Sequence, residues 1–354
     1  MNPYTSIGYL GVEAIRVEGR KLQLAGKSTY LVSLPKRWVL HAGLKAGDTL
    51  FVESEVDGSV SVRPRAVEKP AERRKVFHEK SEESRDHLLR KLVGAYTSGF
   101  GLIEIQFAPD RAPFVRKVAR EFCRLVIGPE VIEEGKNSIV IQDLSDPSEL
   151  SAEKCLRRMH LTVRAMLDDA VTAIRTSNES LANEVALRNQ DVARLYWMVA
   201  KQNHMAHTSA APSGERNNSA AFHAYRLIAK MIERIGDHAQ RIAATYPTTT
   251  NGHAPDPKLL KELEEARVAA VSLLDKAFTS LITRDIDAAN EAIDGKVSYQ
   301  KLIDALSHRV ATRRGEELLA LHTIVDSLGR TVGYAVEIAE QAIDLAVLLN
   351  PEAS

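Results

Sequence analysis

The sequence predicts a multidomain, mainly α-helical protein: a β-rich front segment, a small α+β middle segment, then two tandem three-helix bundles. Three observations lead there. Residues 19–64 read as strand-like stretches punctuated by turn formers. Farther on, Leu167, Asp168, Ala170 and Thr172 return as Leu274, Asp275, Ala277 and Thr279, and Asn183 and Glu184 return as Asn290 and Glu291. That constant offset marks two copies of one helical unit. Finally, Ile228, Met231, Ile232, Ile235, Ala239 and Ile242 recur at three- and four-residue steps, the mark of one buried helical stripe.

Composition bounds the rest. The chain has 354 residues, 44% hydrophobic and 27% charged, which fits a globular protein of two or three domains. Lys plus Arg and Asp plus Glu both count 47, so total charge says nothing about partners; the front is basic and the helical part more acidic. Cys123 and Cys155 form no CxxC pattern, which makes a reducing compartment the expectation. No apolar run approaches the roughly 20 residues of a membrane span, and residues 1–12 lack the regions of a signal peptide. A cytoplasmic protein without membrane insertion is expected.

Residues 20–24, 28–33, 49–54 and 60–62 read as short strands. Between them Ser33 is positioned to cap a short helix with Pro35 in its first turn, Gly43 to close it, and Gly47-Asp48 and Asp57-Gly58 to turn. So short a segment, with few large apolar side chains, can hardly bury a core alone, so dimerisation is expected. Arg20, Lys21, Lys27, Lys36, Arg37 and Lys45 crowd it with few acids nearby. Such a cluster is the electrostatic footprint of DNA-backbone binding; the alternative is a dimerisation module whose lysines face water. Lys21-Leu-Gln-Leu-Ala-Gly-Lys-Ser-Thr-Tyr-Leu-Val-Ser-Leu-Pro-Lys36 followed by Gly43-Leu-Lys-Ala-Gly-Asp48 resembles the AbrB/SpoVT swapped-hairpin domain fused to archaeal PhoU-like proteins. The resemblance implies an intertwined, DNA-binding dimer over residues 1–68.

The charged stretch 69–75 reads as a linker or strand edge. Over 75–148, helices at 81–98 and 113–126 alternate with strands at 102–107 and 138–144, a small α+β domain. It shows no catalytic constellation and no Gly-rich phosphate loop, so it reads as a spacer or dimerisation domain, with a small-molecule sensor as the alternative. The bundles are expected at 151–246 (helices 151–177, 181–205, 220–246) and 256–349 (helices 256–283, 286–312, 316–349).

Glu233 and Asp237 sit one turn apart and project from one side of their helix, with Gly236 between them. A pairing of Asp237 with Arg241 on a solvated face is the plain reading. However, Ile232-Glu-Arg-Ile-Gly-Asp-His-Ala239 closely resembles the signature helix of the PhoU family, whose acidic motifs line a metal-binding surface on three-helix bundles. The resemblance implies Glu233 and Asp237 as ligands of a divalent ion (Mg, Mn, Fe or Zn), with Asn189 and Asp191 as further candidates. The second copy departs from the pattern: Gly329 and Gly333 align with Glu233 and Asp237, and Lys296 and Gln300 fall where Asn189 and Ala193 stand in the first. A multinuclear cluster would lack carboxylates. His204 and His207 are spaced for a transition metal but lack an acidic or thiol partner, and read as exposed. His238 follows Asp237 and faces elsewhere on the helix.

No Ser-His-Asp, Cys-His or nucleotide-loop arrangement can be assembled, so a non-enzyme is expected. The resulting expectation is a homodimeric or larger transcription regulator of phosphate uptake that binds DNA through its front domain. Its PhoU-type bundles would receive the signal. The rival is a protein-interaction regulator acting on phosphate transporter components, with the front domain serving only to dimerise.

Overall fold

The computed structural model describes residues 19–26, 28–54, 60–63, 73–145, 150–206, 219–245 and 256–349. The chain divides into two compact units, 1–69 and 70–354.

In the first unit, β1 (Gln23–Ala25) and β2 (Thr29–Leu31) form an antiparallel hairpin with Leu24 opposite Tyr30. Helix α1 (Lys36–His41) follows, and β3 (Phe51–Ser54) pairs antiparallel with β4 (Val60–Arg63). Ser33 does not cap α1: Pro35 itself holds the cap position at φ −60°, without a side-chain hydrogen bond. The fixed proline ring preorganises the entry, so a hydroxyl cap two residues earlier is not needed. Gly43, at φ +66°, ends the helix as expected, and the Lys45 N–H donates to Asp48 Oδ2 at 2.7 Å in the turn that follows. The expected turn at Asp57-Gly58 lies outside the described residues. No described residue of this unit is buried, whereas Leu22, Leu24, Tyr30, Leu40 and Val52 are each more than half exposed.

The second unit begins with a four-stranded sheet. Its order is β5 (Arg74–His78), β6 (Leu102–Gln106), β8 (Ser138–Asp143), β7 (Pro129–Glu134), with β5 parallel to β6 and the other pairs antiparallel. Helices α2 (Arg85–Thr97) and α3 (Ala112–Leu125) supply Leu88, Leu92, Tyr96, Val115 and Phe122 to a core with Ile103, Ile105, Ile139 and Ile141. These alternate isoleucines point to one face because side chains alternate along a strand. The edge strands were the less legible ones. β5 begins within the charged stretch expected as a linker or strand edge, and β7, where no strand was expected, opens on a proline and carries three glutamates and a bulge at Val131/Glu133. Edge strands tolerate proline at the first position, and charge there discourages pairing with other chains. Helix α2 starts at Arg85, four residues later than expected, where Ser84 Oγ accepts from the His87 N–H at 3.3 Å.

Six long helices follow. The first repeat is α4 (Ala152–Thr176), α5 (Glu179–Ala206) and α6 (Ser219–Ala244); the second is α7 (Pro257–Thr283), α8 (Ile286–Val310) and α9 (Gly315–Leu349). All six match the periodicity to within a few residues. The repeat extends to backbone detail: α4 and α7 both end on a left-handed non-glycine residue, Ser177 at φ 52° and Arg284 at φ 56°. The bundles lie side by side, α4 against α7 and α6 against α9, and one continuous core runs through both.

The sheet layer is fixed to the end of α5 by a buried ion pair. Lys201 Nζ donates to Asp143 Oδ2 and, at 3.0 Å, to Ser145 Oγ, and lies over the Tyr96 ring. Next to it Gln202 Nε2 donates to the Leu150 carbonyl at 2.6 Å.

Candidate functional site

On α6, Ile228, Ile232, Ile235, Ala239 and Ile242 are fully buried, which turns Glu233 and Asp237 toward the rim shared with α5. Glu233 pairs with Lys230 at 2.7 Å. Asp237 accepts from Asn189 Nδ2 at 3.1 Å and lies 3.5 Å from Arg234, so its cation is Arg234 and not the expected Arg241. The Asn189 amide also donates to Gln240 Oε1 at 2.7 Å. This amide crosses α6 directly over Gly236, where a Cβ would stand 2.5 Å from Asn189 Oδ1. Close approach therefore accounts for the glycine, whose helical cost is about 1 kcal/mol against alanine.

The structure brings Asn189 to the acidic pair and leaves Asp191 out: two positions along a helix is a turn of about 200°, and Asp191 sits 3.8 Å from Arg194 on the exposed side. Among the described residues no three His, Cys, Asp or Glu side chains gather as a metal would need. Two carboxylates one turn apart, each beside a cation of the protein, fit at most a single hard ion completed by water, and not a multinuclear cluster. His238 is buried on another face, with Nδ1 3.3 Å from Ser327 Oγ and its ring beside Tyr334 of α9. His204 is exposed at the end of α5, and His207 lies outside the described residues.

The second repeat builds the same location differently. Between α8 and α9 lies a cleft of about 460 Å³ whose lining includes Lys296, Gln300, Gly329 and Gly333. A Cβ at either glycine would meet nothing within 4 Å, so no packing among the described residues explains them. Gly94 is similarly open but lies in the last turn of α2, where a glycine matters less.

On the first unit, Arg20 and Lys21 precede β1, Lys36 and Arg37 open α1, and Lys45 stands in the turn after it, all exposed. Lys27 lies outside the described residues.

Two groups at the bundle seam escaped the sequence reading. His160 of α4 stacks on Phe278 of α7 with ring centroids 4.1 Å apart and places Nε2 2.9 Å from Asp275, which also meets Arg164 at 3.2 Å. Asp168 pairs with Arg267 across the same seam. Burial holds His160 below the usual histidine range against the opposing pull of Asp275, and burial lowers His238 too, with Arg241 adding to it. The presence of Asp168 and Asp275 at equivalent repeat positions was the available signal.

The architecture is thus two side-by-side three-helix bundles with an acidic pair on one. The PhoU domain model matches residues 156–245. The model for antidote-toxin recognition MazE, bacterial antitoxin, matches residues 23–70. Residues 156–245 are thus similar to a PhoU domain, and residues 23–70 to a segment of MazE kind. Among solved structures, PhoU from Pseudomonas aeruginosa matches with a TM-score of 0.50 at 17% identity, over 56% of this chain and 96% of that one. The phosphate transport system regulatory protein PhoU from Streptococcus pneumoniae gives 0.48 at 15% identity, over 57% and 95%. No curated protein sequence matches the chain. Among the described residues, no helix is long and apolar enough to cross a membrane.

Proposed function

We propose that the chain is a non-enzymatic regulator of phosphate uptake that binds DNA as a homodimer through its front unit, with the bundles receiving the signal. The observation that carries the assembly is the front unit itself. It has no buried residue among those described, yet it holds two antiparallel strand pairs whose apolar side chains stand in the open, Leu24 at 59% and Val52 at 67% exposure. A second copy of the same strand pairs would cover them, and the MazE/AbrB likeness supports that occupant. Arg20, Lys21, Lys36, Arg37 and Lys45, with Lys27, then supply two symmetric sets of cations for a DNA backbone with paired half-sites. The phosphate part rests on the PhoU likeness.

Two measurements on the intact protein test this. Light scattering should give a mass well above the 39.1 kDa of one chain; a monodisperse monomer ends the reading. Fluorescence anisotropy with DNA from upstream of phosphate-transport genes should show affinity falling with salt, with a log–log slope of about −0.9 per phosphate contacted. Lys36→Ala should flatten that slope by about one unit. Binding no tighter than to random DNA would favour action at the phosphate transporter instead.

A further inference from the structure

In the first repeat, the Asp237 carboxylate is held from two sides, by the Asn189 amide of α5 and by Arg234 one turn back on α6. The repeat register carries Asn189 to Lys296, Arg234 to Arg330 and Asp237 to Gly333. In the second bundle both holders of a carboxylate thus have cationic counterparts, while the carboxylate itself is replaced by a glycine with nothing within 4 Å of where its Cβ would be. Lys296, Arg330 and Gly333 line one cleft. We propose that this cleft binds a small organic oxyanion, whose phosphate or carboxylate group lies between Lys296 and Arg330 where the first repeat places its own Asp237.

Three features support an external ligand over a filled surface. Gly236 and Gly295, the other glycines deep within bundle helices, each have a side chain packed onto them, from Asn189 and Leu273, whereas Gly329 and Gly333 are open. The cleft measures about 460 Å³, more than a bare phosphate needs and within the span of about 300–1,000 Å³ typical of organic-ligand pockets. Its far end is walled by Ile303, Val310 and Leu318, which suits an apolar body attached to the anionic head. Two acids also line it and are partly engaged: Asp304 accepts from Gln300 at 2.8 Å, and Asp326 lies 3.9 Å from Arg330. They disfavour a highly charged polyanion and fit a ligand with one anionic group. The proposal is independent of whether the front unit binds DNA.

Isothermal titration of the intact protein with inorganic phosphate, phenyl phosphate and butyrate tests it and separates phosphate from carboxylate chemistry. At least one should bind saturably, one per chain. Lys296→Gln and Arg330→Gln should each weaken that binding by about ten-fold or more, since each removes a charge-assisted contact. Gly333→Asp restores the internal carboxylate of the first repeat; it should abolish binding while the melting temperature holds or rises. Failure of all three compounds to bind overturns the proposal, as does binding that survives Lys296→Gln or Gly333→Asp unchanged.

Discussion

The two bundles share a buried stripe and differ where they face outward. Ile232, Ala239 and Ile242 of α6 correspond to Leu328, Ala335 and Ile338 of α9, and all six are buried. On the rim the same register pairs Glu233 with Gly329 and Asp237 with Gly333. Packing constrains the inner positions because removing one methylene from a close-packed core already costs about 1 kcal/mol. The rim has no such constraint, so the two copies hold a carboxylate pair in one case and an open cleft in the other.

The largest break in the symmetry is the sheet layer, which only the first bundle carries. Lys201 fixes it, and its repeat counterpart is the exposed His308. Replacing Lys201 with Ala strands the buried Asp143 without a cation and should cost about 3–5 kcal/mol in urea unfolding. A loss below about 1 kcal/mol would mean that the pair does not anchor the layer.

The helical glycines sharpen the contrast with opposite signs. Gly236→Ala drives a Cβ against the Asn189 amide and should destabilise by about 1–3 kcal/mol, less any gain in helix propensity. Gly333→Ala meets open space and should stabilise by about 0.5–1 kcal/mol. Equal effects of the same sign, measured by denaturant midpoints, would erase the distinction.

Acidity probes the seam. His160 and His238 both belong to the first repeat, and their counterparts are Arg267 and Tyr334. Because burial lowers both histidines, the unfolded chain takes up protons first as the pH falls. Their stabilising contribution is thus present above the ordinary histidine value of 6.5 and is lost as the pH falls through the lowered folded values. His238→Tyr, which copies the second repeat, should flatten the slope of stability between about pH 7 and 5. An unchanged slope would remove His238 from this account.

The smallest effect is expected at the acidic pair. Glu233→Gln with Asp237→Asn should cost less than about 1 kcal/mol, because both ion pairs lie at the rim. Added Mg, Mn, Fe or Zn should shift the melting of parent and variant alike. A metal-dependent rise confined to the parent would instead establish a bound ion, by mass action on the native state.

Much of this was legible in the sequence because apolar positions repeat every three or four residues over 25 or more positions in each long helix. The inner strands β6 and β8 were legible by a different signal, as compact apolar runs. β5 and β7 were less so: an edge strand has one free side and carries no obligatory apolar alternation, so residues 69–75 read equally as a linker or a strand edge and no strand was expected over 129–134. At the acidic site, Glu233 and Asp237 were visible from their spacing, but the partner of Asp237 was not. Arg234 and Arg241 are equally plausible from α6 alone, and the Asn189 amide arrives from another helix. Lys201 was missed because a lysine near a helix end reads as solvated until the sheet that covers it is in place. The oppositely charged groups across the seam pose the same difficulty, since their proximity is created by the packing of two repeats and not by spacing within either.

The single core running through both bundles sets how far the two copies can drift apart. Neither repeat owns a complete interior, because Ile235 and Ala239 of one and Leu328 and Ala335 of the other belong to the same packed cluster. Heat or denaturant therefore meets one cooperative body and not two modules in series. A substitution that weakens the second repeat is borne by the first as well. The duplicated half thus retains licence to vary only on its outer skin, and Gly329 and Gly333 lie on that skin.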